Sequence, residues 1–172
     1  IEPEIKDLSN FLCSIGAKIV WTGRRQVKIV GVKTFKQSNY KIMFDRIEAG
    51  TMLIAGAINQ GNLKITGIES SILKTEIDLL KKIGAKINQK KNEITIKGNK
   101  KIKNINIKTS PFPGVATDIQ AQLMVLLCKA NKRSTIKEDI FENRFQSVPE
   151  LKRMNAKIEV KGNQAIIEGN TI

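Results

Sequence analysis

The sequence predicts an α/β fold assembled from copies of one unit, ordered strand, helix, strand, helix, strand, strand. Two recurrences and one alternation carry that prediction. The run Ile15-Gly16-Ala17-Lys18-Ile19 returns as Ile83-Gly84-Ala85-Lys86-Ile87 and again as Met154-Asn155-Ala156-Lys157-Ile158, at a spacing of roughly 70 residues. Asp45-Arg46-Ile47-Glu48-Ala49-Gly50 likewise lies about one period before Thr117-Asp118-Ile119-Gln120-Ala121-Gln122. Between these landmarks, apolar residues at helical spacing alternate with short runs of strand character.

In chain order, residues 4–17 set Ile5, Leu8, Phe11, Leu12 and Ile15 on one helical face, and Gly16 supplies the stop. Strands over 18–21 and 26–30 follow, joined through Thr22-Gly23-Arg24-Arg25 as a hairpin. Residues 40–44 read as a strand leading into a helix over 46–59, with Asp45 as its N-cap and Gly61 at its end. Its Ala49, Gly50, Ala55, Gly56 and Ala57 are small enough for close packing on a neighbour. A strand over 63–66, an amphipathic helix over 72–83 and hairpin strands over 86–88 and 93–97 complete that copy.

The last copy has strands over 105–108 and 134–137, helices over 118–130 and 145–154, and a closing hairpin over 157–160 and 165–168. Pro149 fits the first turn of a helix capped near Ser147. The chain therefore holds two complete units and the tail of another. Because it opens on a unit's second helix, it reads as a piece of something longer.

At 172 residues the chain can bury one sizeable core or two small ones. No apolar run reaches the roughly 18 residues of a membrane span, and the first residues lack the pattern of a signal peptide, so no membrane association and a cytoplasmic location are expected. Cys13 and Cys128 both fall in apolar helical patterns and read as small buried hydrophobes. With no histidine, the chain cannot use a Ser-His-Asp triad or a His-containing zinc site. The net charge of +14 raises nucleic acid as a partner, and a basic binding module is the alternative function class. Yet the lysines alternate with Ile and Asn along strand faces and form no cluster with interleaved aromatics, which favours a solvated surface.

Repeats match where packing alone is required and diverge where one copy has a task. The loop before the first helix is short at Lys41-Ile42-Met43-Phe44-Asp45, and in the last copy it swells to Thr109-Ser110-Pro111-Phe112-Pro113-Gly114-Val115-Ala116. The joint between second strand and second helix also differs, Gly67-Ile68-Glu69-Ser70-Ser71 against Glu138-Asp139-Ile140-Phe141-Glu142-Asn143-Arg144-Phe145. Both departures sit at helix N-terminal ends, where free N–H groups and the helix dipole favour a carboxylate or a bound anion. Thr117 or Asp118 is there either a cap or a ligand-facing group. The topology would gather Asp118, Ile140 and Arg144 around one cleft.

These residues also carry a resemblance. The run Phe112-Pro113 to Thr117-Asp118-Ile119-Gln120-Ala121-Gln122, with Ile140-Phe141-Glu142-Asn143-Arg144-Phe145 and Val148-Pro149-Glu150-Leu151, resembles the enolpyruvyl transferases, specifically the UDP-N-acetylglucosamine 1-carboxyvinyltransferase family of peptidoglycan synthesis. Glu2-Pro3-Glu4-Ile5 and Asp45-Arg46-Ile47-Glu48-Ala49-Gly50 match its middle region. The resemblance implies two domains, each an inside-out α/β barrel of three such units, with the active site between them. It makes residues 1–41 the end of the first domain and 42–172 two of the three units of the second.

The implied reaction moves the enolpyruvyl group of phosphoenolpyruvate onto the 3-hydroxyl of UDP-N-acetylglucosamine and releases phosphate, with no cofactor. By resemblance Asp118 contacts the sugar hydroxyl and is its base. Thr117, Ile140, Phe141 and Arg144 fall at or beside substrate-binding positions, and Arg144 either meets substrate or orients Asp118. The family's cysteine loop, its phosphoenolpyruvate-binding lysine and several of its arginines precede the region present here. The implied partner is thus the N-terminal half of the same enzyme, and this segment is expected to be inactive alone.

Overall fold

The computed structural model describes residues 1–171, and the chain divides into two compact units between Phe44 and Asp45. In the first, helix α1 (Pro3–Ser14) precedes a two-stranded antiparallel ribbon of β1 (Lys18–Gly23) and β2 (Gln26–Val30). Pro3 suits the first helical turn, where its missing N–H is no loss. α1 has no buried residue, and Cys13 is exposed rather than buried. One helix and one ribbon cannot cover both sides of an apolar stripe within 44 residues.

The segment 40–44 is not a strand. A strand needs a ladder partner, whereas here the polar groups go to α1: Tyr40 Oη donates to Asp7 Oδ1 at 2.8 Å and the Met43 N–H to Asp7 Oδ2 at 3.3 Å. The Tyr40 ring tilts against Phe11 at 5.6 Å between centroids.

The second unit begins with α2 (Arg46–Ile58), β3 (Asn62–Thr66), a 3₁₀ turn (Ser70–Leu73), α3 (Lys74–Lys82), β4 (Lys86–Lys90) and β5 (Glu93–Lys97). It continues with β6 (Asn106–Lys108), a 3₁₀ turn (Thr117–Ile119), α4 (Gln120–Cys128), β7 (Ser134–Lys137), α5 (Val148–Arg153), β8 (Ile158–Lys161) and β9 (Gln164–Ile167). The strands form two sheets, β3-β5-β4 and β6-β7-β9-β8, in which only β6 and β7 run parallel. Equivalent residues pair in both: Leu63 opposes Ile96 as Ser134 opposes Ile167, and Ile65 opposes Ile94 as Ile136 opposes Ala165. The first sheet lacks a counterpart of β6, because 40–44 forms no strand, so only the last copy has all four strands.

Each sheet turns one face inward, through Ile94 and Ile96 in one and Ile107, Ile136, Ala165 and Ile167 in the other. Against those faces lie α2 and α4, with Leu53, Ile54, Leu123, Met124, Leu126 and Leu127 buried. Helices inside and sheets outside give the inside-out α/β arrangement. Burying each such side chain contributes roughly 1.5–3 kcal/mol.

The three recurring motifs end their helices identically. Gly16, Gly84 and Asn155 take φ of +105°, +110° and +71°, and the alanine after each donates its N–H back to Leu12, Leu80 and Leu151 at 2.9, 3.0 and 3.0 Å. Asparagine tolerates the left-handed turn nearly as well as glycine, which is why the motif survives its loss. The helix expected over 145–154 is shorter and starts at Val148, because Pro149 has no N–H to donate to a preceding turn and fits only a helix's first turn. Ser147 is its N-cap by position, but its hydroxyl makes no capping bond.

Candidate active site

The two loops that set the last copy apart meet in space. The first folds tightly: Ser110 N–H donates to Val115 O at 3.0 Å and Gly114 N–H to Pro111 O at 2.8 Å. A Cβ at Gly114 would run into Ser110 Oγ and lie 2.9 Å from Ser110 Cβ, so a larger residue there would force Ser110 to shift. The Phe112–Pro113 peptide is cis. Thr75 Oγ1 donates to the Pro113 carbonyl, and the Arg46 guanidinium lies 5.4 Å from the Phe112 ring centre. The loop is thus seated on the helices of the preceding copy and feeds the 3₁₀ turn that carries Thr117 and Asp118.

The two residues point to different environments. Thr117 is buried, and its hydroxyl donates to Glu138 Oε2 at 2.8 Å. The Asp118 side chain is 56% exposed and makes no capping bond. Arg144 Nη2 stands 2.6 Å from Asp118 Oδ1, a short charge-assisted contact, and its guanidinium lies 5.7 Å from the Phe141 ring centre. Among the described residues, Asp118 Oδ2 accepts no hydrogen bond.

Glu138 was not singled out in the sequence, yet it joins the two loops. It is only 2% exposed. Its Oε1 accepts from Thr109 Oγ1 at 2.9 Å, Ile140 N–H at 2.8 Å and Phe141 N–H at 3.2 Å. Burial is the largest influence on its carboxyl and pushes the pKa up. The bonds from Ile140, Thr117, Thr109 and Phe141 together outweigh it and hold the group below the usual glutamate value. Ile140 is half-buried with its N–H turned into Glu138, while Phe141 is exposed.

Asp139 fixes the same joint from outside, with Lys108 Nζ at 2.8 Å, Lys137 Nζ at 3.5 Å and Asn163 Nδ2 at 2.8 Å. The bond from Lys108 is the main reason its carboxyl lies below the usual range. A cavity of about 630 Å³ opens beside this joint, lined in part by Phe141, Arg144, Phe145, Val148 and Val160.

Asp118 and Arg144 are therefore brought into contact, while Ile140 and Thr117 are tied to the pair through Glu138. An exposed carboxylate with one oxygen held by a guanidinium and the other open can accept a proton from a hydroxyl placed against it.

The EPSP synthase (3-phosphoshikimate 1-carboxyvinyltransferase) family matches residues 1–172. A UDP-N-acetylglucosamine 1-carboxyvinyltransferase from Pelagibacter ubique is 67% identical over 99% of this chain and 41% of its own length. One from Geotalea uraniireducens is 45% identical over 98% of this chain and 40% of its own. The enolpyruvyl transferase NikO from Streptomyces tendae has the same fold, with a TM-score of 0.86 at 24% identity, over 98% of this chain and 41% of that one. The chain belongs to the EPSP synthase family. It spans about two-fifths of the length of the relatives it matches. Among the described residues, no helix is long and apolar enough to cross a membrane.

Proposed function

We propose that the protein containing this chain transfers the enolpyruvyl group of phosphoenolpyruvate to the 3-hydroxyl of UDP-N-acetylglucosamine, and that this segment supplies the acidic wall of the cleft. The observation that carries the reading is the 67% identity across nearly the whole chain to a transferase of that name. The Asp118–Arg144 pair supports it chemically. Arg144 holds Oδ1 and so fixes the carboxylate, leaving Oδ2 to take the hydroxyl proton as the sugar oxygen attacks. The pairing favours the orienting role for Arg144 over a direct contact with substrate.

Ile140 and the exposed Phe141 offer apolar surface to the nucleotide sugar. Thr117, whose hydroxyl is committed to Glu138, contributes by placing its neighbour. Residues 1–41 close a first domain and 42–172 form two of three units of the second, a reading supported by the division of the chain next to Phe44. The activity belongs to peptidoglycan synthesis in the cytoplasm, and through the cell wall bears on cell shape and division. No cofactor enters the reaction.

The test uses the full-length protein and follows phosphate release from phosphoenolpyruvate in the presence of UDP-N-acetylglucosamine. Asp118→Asn should lower turnover about 10³-fold with an unchanged fold. Turnover close to that of the parent would remove Asp118 from the mechanism.

A further inference from the structure

We propose that Glu138 is a positioning residue of this site: its buried carboxylate fixes the loop bearing Asp118 and the loop bearing Arg144 at the separation their ion pair needs. The inference rests on the reading of Asp118 as the base. At the end of β3, the Gly67 N–H donates to the carbonyl of Asn92 in the hairpin turn at 2.9 Å; at the end of β7, the Glu138 N–H donates to the carbonyl of Asn163 at 2.8 Å. The backbone task of the position is thus the same in both. The middle copy performs it with glycine at φ +76°, without a side chain. A glutamate is not required for that bond, and its carboxylate is present only in the copy with enlarged loops.

The carboxylate is engaged by both loops at once. Thr109 and Thr117 donate from one, Ile140 and Phe141 from the other. Thr117 adjoins Asp118 in the chain, and the Phe141 ring lies beside the Arg144 guanidinium. Two short connections therefore run outward from Glu138, one to each member of the pair. With both oxygens occupied and 2% exposure, Glu138 borders the cavity beside the joint but offers it no free carboxylate oxygen. Without the carboxylate four donors lose their acceptor at once, and the loops lose their common tie.

The experiment compares Glu138→Ala, Glu138→Gln, Glu138→Asp and Asp118→Asn in the full-length protein, by kinetics and by deuterium uptake of the segments 109–119 and 138–145. Glu138→Ala should lower kcat about a hundredfold, because a displacement of the base by about 1 Å suffices for that. It should leave KM for phosphoenolpyruvate within about threefold. Deuterium uptake in both segments should speed up by at least about tenfold. Glu138→Gln keeps an oxygen for Thr109, Ile140 and Phe141 and should restore kcat to within about tenfold of the parent.

A purely structural glutamate would lower stability without altering kcat per folded molecule. Parental kcat per folded molecule in Glu138→Ala, or parental uptake in both segments, overturns the proposal. If Glu138→Ala does not fold, Glu138→Asp decides by the same measures, since a carboxylate one methylene shorter cannot reach both loops. If Asp118→Asn keeps its turnover, the assignment of the base fails instead, and uptake alone settles whether Glu138 ties the loops.

Discussion

Asp45 and Asp118 both stand at the start of a central helix, and they do opposite things. Asp45 Oδ1 accepts the N–H groups of Ile47 at 2.7 Å and Glu48 at 3.1 Å, which spends the carboxylate on the helix it opens. Asp118 caps nothing. It sits within the 3₁₀ turn that precedes α4, and its carboxylate faces outward to Arg144. The copies therefore share three strands, the helices and the left-handed helix stops. They differ in β6, the strand that the earlier copy lacks, and in the loops enlarged at one end of the unit. On the proposed function, an acid freed from capping at a helix start is what distinguishes a structural copy from one equipped for chemistry.

The largest expected effect tests that contrast directly. In the full-length protein, Asp118→Ala should lower turnover about 10³-fold, near 4 kcal/mol of transition-state stabilisation, without shifting the melting temperature. Asp45→Ala should leave turnover per folded molecule at the parental level. Equal losses of turnover in the two variants would erase the distinction between them.

Next comes a feature the copies share. Gly98 and Gly169 follow the closing strand of each copy and press on the end of its central helix. A Cβ at Gly98 would lie 2.7 Å from Gln60 Cα and 2.8 Å from Gly56 O; one at Gly169 would strike Ala130 O and lie 2.8 Å from Lys132 O. Backbone cannot swing away as a side chain can. Each Gly→Ala change should cost about 3 kcal/mol in urea unfolding, and Gly31→Ala, with nothing within 4 Å, close to nothing. A cost confined to one copy would show that the packing is not common to both.

Much of this was legible from residues alone. Gly16 and Gly84 announced the helix stops because a left-handed turn at a helix end restricts the choice of residue, and Asn155 marked the third by being the usual substitute. Asp45 was legible as a cap for the same local reason. The segment 40–44 misled, since its apolar spacing suits a strand and nothing local reveals that Asp7 takes its polar groups. Cys13 misled because helical periodicity shows which face is apolar and not whether anything covers it. Glu138 was hidden: in Lys137-Glu138-Asp139 it reads as one more surface charge after a strand. The signal that finds it is the alignment of copies, which sets a glutamate against Gly67.

A smaller effect measures what Asp45 does for its own copy. Asp45→Ala should cost about 1 kcal/mol, because two N–H groups at the start of α2 lose their acceptor. Asp45→Asn, which keeps a capping oxygen, should recover most of it in the same unfolding measurement. If Asp118→Ala cost as much stability as Asp45→Ala, Asp118 too would be a cap.

The smallest effect separates the copies by the sign of their response to pH. Glu76 in α3 and Glu138 after β7 are both buried glutamates. For Glu76 burial dominates and raises the carboxyl above its usual value, with its own backbone and Arg46 opposing; for Glu138 the donors prevail and lower it. The contribution of Glu138 is complete above the ordinary glutamate value of about 4.5 and is lost as pH falls through it toward the depressed folded value. That of Glu76 is complete below about 4.5 and is lost as pH rises through its raised folded value. Melting temperatures taken from about pH 3.5 to 7.5 should show it. The parent's advantage over Glu138→Gln should shrink on acidification, and its standing against Glu76→Gln should worsen as pH rises. Two variants drifting in the same direction would mean that the two burials are alike, and that the four donors around Glu138 do not hold its charge.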